Sequence, residues 1–494
     1  MNKKTTLRGR GFSAGALAVF VAFSAFVALA ALSGCSPALV QRSAKDIALP
    51  DSYMGVRAAT ALDGGDGATQ AFVSGQDPDT NWWHRFGSQP LNDLIETALR
   101  DSPSLRSAEL RLGEAGKYLA AQQGTSNYPR IDLDVSAKRE QVNTAAIGLP
   151  MIPNPKPFTL YNTGLSISYD FDIFGAQRHR VAAKRYEVAI KRYEAQAARL
   201  ALASNIVTAA IREGYLRDQI DLKDALLGNR QAISRTLNGR YAHGTAAYKD
   251  VLDSDLDVDR AQAELPALRT SLAQVRSQLA VYAGVSSPAS LPEFHLRDLQ
   301  LPESLSLTVP SELAHQRPDI LAAEASLQVA GELAGVAAAN LYPQFDLSAD
   351  IASTPLVLGR MFAGGTNIWS FGAQMSAPLF RGGELRAKRD AAYAEYDAAF
   401  QDYKDVVLKA LQSVADAMSA IEQDASASKT YVASQERHEK LVNMTNDQLK
   451  LGSKDILDVL QAQQAYDLSS LEVMRLRANR LTNTASFFSA IGAR

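Results

Sequence analysis

The feature that most constrains the fold of this chain is a segment that it contains twice. Residues 128–133 read Tyr-Pro-Arg-Ile-Asp-Leu, and residues 342–347 read Tyr-Pro-Gln-Phe-Asp-Leu. The surroundings of Gly244 likewise return around Gly452. A spacing of about 210 residues is far too long for a solenoid repeat, so it indicates duplication of a whole domain. Two copies of one plan in one chain favour a pseudo-symmetric assembly such as a ring or a tube.

The first 34 residues predict export. A basic start is followed by an apolar run over 11–32 and then by Leu32-Ser33-Gly34-Cys35. This order is typical of a secretory signal peptide that is removed, and its end matches the lipobox of bacterial lipoproteins. Cys35 is the only cysteine, so no intrachain disulfide can form and we expect Cys35 to carry lipid. The alternative is a chance cysteine after an ordinary signal; Ser36 favours sorting to the outer membrane.

The mature chain has few features of a nucleic-acid-binding or helical membrane protein. Removing the leader changes the formal net charge from −2 to about −6, and this mild acidity argues against nucleic acid. We expect no long apolar helix after Leu32, so a membrane crossing would have to use strands.

Four segments alternate apolar and polar residues with a period of two. They cover about 129–139, 160–173, 343–352 and 367–380. Segments of about ten residues suit tilted barrel strands with lipid on one side and water on the other. A soluble sandwich would explain any one of them, but two matched pairs behind a lipobox favour the membrane. Four strands cannot close a barrel, and open edges are costly in hydrocarbon, so we expect an oligomer whose number the residues leave open.

Long helices are predicted after each pair of strands. The regions 177–240 and 384–451 lack proline, and each precedes a shorter returning helix. The sequence therefore predicts two antiparallel helical hairpins, at 175–284 and 384–491. The clearest seam follows a 3-4-3-4 spacing along Phe400, Tyr403, Val407, Ala410, Val414, Ala417 and Ile421.

With these features the chain resembles the TolC-like outer-membrane factors, and among them the NodT-type lipoprotein branch that serves resistance-nodulation-division (RND) pumps. The resemblance covers nearly all of the mature chain. Its most specific motifs are 313–320 (Leu-Ala-His-Gln-Arg-Pro-Asp-Ile), the two Tyr-Pro strand starts, 378–383 (Pro-Leu-Phe-Arg-Gly-Gly) and 452–464. It implies a mainly α-helical homotrimer with a 12-stranded membrane β-barrel, four strands per chain, continuous with a 12-helix periplasmic α-barrel. A mixed equatorial region surrounds the helices.

The resemblance also implies an organisation along the chain. The signal peptide 1–34 is followed by an amino-terminal equatorial segment over 35–91. The first repeat then covers 92–300 and the second repeat covers 301–494.

By the same resemblance, the function is that of a passive trimeric conduit that exports drugs or other small molecules through a tripartite efflux system. Its partners would be a periplasmic membrane-fusion adaptor and an inner-membrane RND pump. The protein would sit in the outer membrane of a Gram-negative bacterium, with diacylglycerol and an N-acyl chain on Cys35 and no other cofactor. The alternatives are an outer-membrane channel for type I protein secretion, and a structural periplasmic coiled-coil lipoprotein or adaptor.

The family places the periplasmic entrance at the turns between the long helices, here near Gly244 and Gly452. Asp250 and Asp253 follow the first turn, and two residues three positions apart share a helix face. At matching places the second turn has Asp458 and Gln461, with Lys454 where relatives often carry a basic gate residue. Crowded carboxylates from three chains would favour cations. The alternative is that these are ordinary solvated aspartates near a helix start.

The sequence predicts no enzyme. Residues 11–15 fit the Gly-x-Ser-x-Gly pattern of hydrolases, but they lie in the leader. The six histidines are scattered without ligand spacing, so no metal site is expected.

Overall fold

A computed structural model describes Tyr53 and residues 61–65, 68–74, 80–148, 150–361 and 363–492. The predicted signal peptide, Cys35 and most of the predicted amino-terminal equatorial segment before residue 61 lie outside the described residues. The rest is mainly helical. The helices are α1 (Gln89–Asp101), α2 (Pro103–Asn127), α3 (Ala176–Ala242), α4 (Tyr248–Ala283), α5 (Pro310–Gln316), α6 (Pro318–Ala339), α7 (Glu384–Lys450) and α8 (Ile456–Ala490). Short 3-10 helices occupy Trp82–Phe86, Thr144–Ile147, Pro288–Ser290, Leu296–Asp298 and Leu358–Arg360.

The two longest helices, α3 and α7, have 67 residues each. Side-chain contacts pair each of these helices with the helix that follows it, and the two helices of each pair run antiparallel. Ser234 of α3 bonds Asp255 of α4 at 2.6 Å, and earlier on α3 Lys223 bonds Glu264, which is later on α4. The second pair repeats this, with Gln435 to Ser470 at 2.8 Å and Asp424 to Asn483 at 2.6 Å. The prediction of two antiparallel hairpins is confirmed.

The predicted seam of α7 is buried along its whole length. Tyr403, Val414 and Ile421 are fully buried, and the other members of the seam are at most 8% exposed. Because residues at alternating spacings of three and four share one stripe of a helix, this pattern places all of them against neighbouring helices. The 3-4-3-4 spacing in the sequence therefore identified a buried face of α7.

The strands are β1 (Leu62–Asp63), β2 (Thr69–Ser74), β3 (Arg130–Glu140), β4 (Phe158–Phe171), β5 (Ser304–Leu307), β6 (Gln344–Ser353) and β7 (Asn367–Ser376). Four of them form one antiparallel sheet in the order β3-β4-β6-β7. The last pair of its β6–β7 ladder is Gln344 with Ser376, so residues 377–380, which were expected to continue the strand, have no β6 partner.

The two faces of this sheet differ as the alternation predicted. One cross-strand row consists of Leu133, Leu165, Ile351 and Trp369. All four of these apolar side chains are exposed, Trp369 to 77%. The adjacent row, on the opposite face, consists of Asp132, Ser166, Asp350 and Ser370. A soluble sandwich would bury its apolar face, whereas here that face is open.

A second, small sheet has the order β1-β2-β5, with β2 and β5 parallel. Beside it Trp82 is fully buried and stacks on Phe488 of α8, with ring centroids 5.4 Å apart. Trp83 is also buried. Trp82 therefore packs the amino-terminal part of the described chain onto the carboxy-terminal helix.

The Arg-Pro-Asp motif lies at the junction of α5 and α6. Arg317 donates to the carbonyl oxygen of Ala490 at 2.6 Å and to Ser413 Oγ at 2.8 Å, and it pairs with Asp319 at 2.7 Å. Pro318 is the first residue of α6. The hydrogen bonds of Arg317 connect the start of α6 to α7 and α8.

One described helix, α6, is long and apolar enough to cross a membrane by length and composition alone, contrary to the expectation that none remains after Leu32. Its apolar residues are alanine, leucine, valine and isoleucine, and it also contains Gly331 and Gly335. Gly331 lies against the Tyr396 ring, and Gly335 against the His179 ring, which also bonds Glu332 at 2.6 Å. Small residues and a hydrogen-bonded glutamate suit close packing between helices.

The chain divides into two compact units that cut across the two sequence repeats. The strand unit comprises Gly116–Glu187 and Ser326–Phe400, and holds the four-stranded sheet. The helix unit comprises the described residues up to Ala115, Val188–Ala325 and the described residues from Gln401 onward, and holds the helix turns. Each unit therefore takes corresponding pieces from both repeats.

Candidate functional site: the two helix turns

The turns after α3 and α7 have the same backbone structure. Gly244 and Gly452 both have φ 74°, a left-handed conformation that glycine adopts without strain. Thr245 closes the first turn with bonds from its N–H and hydroxyl to the Arg240 carbonyl, at 2.8 and 3.0 Å. Ser453 does the same to the Gln448 carbonyl, at 3.0 and 3.1 Å. The duplication is thus preserved at atomic detail in the turns.

The first turn places two aspartates on the exposed start of α4. Asp250 lies in the first helical turn, is exposed, and forms no ion pair among the described residues. Asp253, one turn later, is bonded to Lys249, and this bond raises the pKa of the Lys249 ammonium group. The residue before α4, Ala247, makes no side-chain cap.

The second turn is capped and held more firmly. Asp455 accepts bonds from the N–H groups of Leu457 and Asp458 at 2.7 and 3.2 Å, and Asp458 accepts from the Asp455 N–H at 3.1 Å. This is a reciprocal capping box. Lys454 also bonds Asp458 at 2.9 Å, and it is the main cause of the lowered pKa of the Asp458 carboxyl. Gln461 is exposed one turn further on.

A salt bridge joins the end of α3 to the start of α8. Arg240 Nη2 lies 2.9 Å from Asp455 Oδ2. Its hydrogen bond is the largest of the effects that hold the pKa of Asp455 below its usual range. About three turns earlier on α3, Asn229 donates to the Leu460 carbonyl at 3.1 Å. The first helical hairpin is therefore attached to the second one at the turns.

Most of the charge at the turns is internally compensated. Residues 240–253 and 447–461 hold five aspartates and four lysines or arginines. Each of these four cations is paired within the chain, as Arg240–Asp455, Lys249–Asp253, Lys450–Asp447 and Lys454–Asp458. One excess negative charge per chain remains. Exposed pairs of this kind contribute little stability, but they reduce the field that the aspartates produce.

Sequence reasoning located the aspartates but missed two residues that organise the turns. Asp455 could have been found, because an aspartate followed three residues later by an acidic residue before an apolar run is a helix-start signal. Arg240 carries no such signal, since its partner lies on another hairpin.

A further cluster that the sequence did not reveal comprises Asp218, Asp221 and His295. The atoms through which these residues could bind a metal ion lie within 4.8 Å of one another. Here His295 Nδ1 bonds Asp218 at 2.7 Å and the Leu296 N–H donates to the same carboxylate at 3.0 Å. These bonds attach the segment after α4 to α3. Histidine spacing could not reveal the cluster because its members are far apart in sequence.

Comparison with protein families gives one assignment. The family described as "Outer membrane efflux protein" matches residues 94–285 and 309–493. These two ranges hold the four-stranded sheet, both hairpins and both turns. They also follow the internal duplication, since each contains one hairpin and one turn.

Individual relatives agree with this assignment. The chain is 27% identical over 422 residues to the probable efflux pump outer membrane protein SepC of Pseudomonas putida, covering 84% of this chain and 86% of SepC. It is 26% identical over 385 residues to nodulation protein T of Rhizobium leguminosarum, covering 78% of each. Among solved structures, the outer membrane protein VceC of Vibrio cholerae superposes with a TM-score of 0.74 at 26% identity, covering 84% of this chain and 99% of VceC.

Proposed function

The chain belongs to the outer membrane efflux protein family, and we propose that three copies of it form a passive conduit coupled to a periplasmic adaptor and an inner-membrane RND pump. It is an outer-membrane channel component of an efflux system and extends into the periplasm, like the other members of the family. The family consists of channel proteins.

The observation that carries the proposed assembly is the four-stranded sheet. Its apolar face is exposed, which suits lipid. Its outer strands β3 and β7 each pair with one neighbour only among the described residues. Unpaired strand edges cannot stay open in hydrocarbon, because every unsatisfied backbone group there costs several kcal/mol. Three copies supply twelve strands, enough to close a barrel.

Transport through such a conduit needs no chemistry from this chain. The polar sheet face would line the barrel, and the turns would form the periplasmic entrance. A pump upstream supplies the energy and selects the cargo, which are drugs or other small molecules. The names of relatives favour efflux over type I protein secretion, since SepC is described as an efflux pump protein. The exposed apolar strands argue against a structural periplasmic lipoprotein.

The lipid anchor is part of the proposal. Cys35 follows a lipobox, so diacylglycerol and an N-acyl chain on Cys35 would add a second attachment to the outer membrane. No other cofactor is proposed.

The entrance is proposed to be weakly cation-selective because each chain contributes one excess negative charge at its turns. Asp250→Asn should remove that excess and weaken cation selectivity, measured as the reversal potential across planar bilayers in a KCl gradient. Lys454→Gln should do the opposite, since it leaves one more uncompensated carboxylate. The double variant should return close to the wild-type potential.

Asp224→Asn is the control, because Asp224 pairs with Arg269 between α3 and α4, away from the turns. It should leave the reversal potential unchanged. If Asp250→Asn and Lys454→Gln also left the potential unchanged, the turns would not line the conducting path. If the purified protein made no channels at all, the proposed conduit itself would be wrong.

A further inference from the structure

The duplication determines how neighbouring copies should pair at the free edges of the sheet. Within the chain, β4 of the first repeat pairs with β6 of the second repeat. If three copies close one barrel, as proposed above, β7 of each copy meets β3 of the next. That junction again joins the second strand of one repeat to the first strand of the other. The observed β4–β6 ladder is therefore a template for a junction between copies.

The equivalence of residues between repeats comes from the two hairpins of the sheet. Arg130 and Gln344 each lie two residues after the tyrosine of a Tyr-Pro start, and they pair with Ser168 and Ser376, respectively. Ser168 therefore corresponds to Ser376.

The same alignment continues beyond the strands. It equates Gly175 with Gly383, which have φ 87° and 85°. It also equates the first residues of α3 and α7, Ala176 and Glu384. One alignment thus holds from the hairpin to the helix, without an insertion.

We propose that residues 371–379 pair antiparallel with residues 131–139 of the partner subunit, in the register of the β4–β6 ladder. In that ladder Thr163 lies opposite Ser353, and Phe171 opposite Phe345. The equivalent pairs are Phe371 with Arg139 of the partner subunit, and Leu379 with Ile131 of the partner subunit. The proposal rests on the trimeric conduit. It also extends β7 by three residues beyond Ser376, which have no β6 partner within the chain.

The chemistry of the two faces agrees with this register. It places Met375 opposite Val135 of the partner subunit on the apolar face, where both side chains are exposed within one chain. It places Gln374 opposite Ser136 of the partner subunit on the polar face. Phe371 is an exception, since it meets the charged Arg139 of the partner subunit at the end of the ladder. A shift by one residue would bring most of the apolar side chains opposite polar ones. Shifts by two residues keep the faces matched, so experiment must distinguish them.

The backbone hydrogen bonds also agree. The Tyr161 N–H donates to the Pro355 carbonyl at 3.0 Å, so odd-numbered residues of β4 direct their N–H groups toward β6. By equivalence, odd-numbered residues of β7 direct theirs toward the free edge. Pro378 lacks an N–H group, but its position faces the β6 side. It therefore removes no donor from the ladder between copies.

A cysteine pair tests the register. Gln374 and Ser136 of the partner subunit form a non-hydrogen-bonded pair, for which the Cα atoms lie about 4.5 Å apart, within disulfide reach. The protein carrying Gln374→Cys and Ser136→Cys should form covalent trimers when outer membranes are oxidised, resolved by denaturing electrophoresis without reductant. Reductant should return it to monomer.

The matched controls shift the register by two residues. Gln374→Cys combined with Asp134→Cys, or with Lys138→Cys, places the Cα atoms about 7–8 Å apart, so little cross-linking is expected. Gln374→Cys alone controls for Cys35, which remains in every variant. A native mass measurement in detergent gives the number of copies independently.

Efficient cross-linking of a shifted pair would overturn the register and leave the trimer intact. A three-copy mass with no cross-link in any pair would overturn the pairing of β7 with β3. A one-copy mass would overturn the proposed assembly itself, and with it this inference.

Discussion

At the scale of single residues, the second turn differs from the first by its cap. Asp455 occupies the position equivalent to Ala247, so the capping box exists in one repeat only. Arg240 then links this cap to the first hairpin. In the structure, the two turns differ most by this salt bridge between the hairpins. The difference visible in the sequence, Asp253 in the first repeat against Gln461 in the second, is a smaller one.

The Arg240–Asp455 pair predicts a pH dependence. Because the pKa of Asp455 is lowered in the folded chain, its stabilising effect is present above its ordinary pKa near 3.9 and is lost as the pH falls through the lowered value. Arg240→Gln should move that loss to higher pH. We expect the entrance to widen when this salt bridge is lost. Channel conductance in planar bilayers, followed from pH 7 downward, should then rise at a higher pH in the variant than in the wild type.

Arg269→Gln provides the control for that experiment, since Arg269 pairs with Asp224 between α3 and α4 and touches neither turn. It should leave the pH profile in place. A profile for Arg240→Gln that coincides with the wild type would show that the salt bridge does not hold the entrance.

The residues of the turns could be predicted only in part. Asp250, Asp253 and Asp458 follow from the position of two glycine turns in the sequence. Their charge state does not, because the lysine partners depend on side-chain conformations and Arg240 reaches a residue more than 200 positions away. Local spacing contains no information about such a partner.

At the scale of elements, periodicity predicted most of the structure. The α7 seam from Phe400 to Ile421 is buried as its spacing requires, and the four alternating segments form one sheet. Within the chain, the pairing of β7 stops where β6 begins, which the sequence of β7 cannot reveal.

The two faces of the sheet predict opposite responses to charge. Leu165→Arg places a cation on the apolar face, where a charge at the bilayer midplane costs about 2–4 kcal/mol. Ser166→Arg, one residue later, places the same cation on the polar face at nearly the same depth and should cost much less. The fraction of heat-modifiable, folded protein on electrophoresis should fall sharply for Leu165→Arg only.

Leu165→Ala separates the effect of charge from the effect of lost volume in that comparison, and it should fold well. Equal yields for the two arginine variants would contradict the assignment of the apolar face to lipid. A larger loss for Ser166→Arg would reverse the two faces.

At the scale of the whole molecule, the duplication predicted the repeated plan but not the compact units. The strand unit joins residues 116–187 to residues 326–400, and the helix unit joins the remaining parts of both repeats. A repeat copied in sequence need not fold by itself, because β4 finds its second neighbour, β6, in the other copy. The boundary between residues 300 and 301 therefore separates the two sequence repeats, but it does not separate the two compact units.

The lipid anchor and the strands make separable contributions to membrane attachment. Strands in a closed barrel hold a protein in the bilayer through many buried apolar side chains, whereas acyl chains contribute about 0.8 kcal/mol per buried CH₂ group. Cys35→Ser removes the acylation site and leaves the exposed apolar face of Leu133, Leu165, Ile351 and Trp369 unchanged. The variant should therefore still require detergent for its extraction from the outer membrane, but it should no longer incorporate labelled palmitate. Wild-type protein and a Ser36→Ala variant, which keeps Cys35, serve as controls and should retain the label. If the Cys35→Ser protein were released as a water-soluble form, the anchor alone would hold the chain and the membrane-strand assignment would fail.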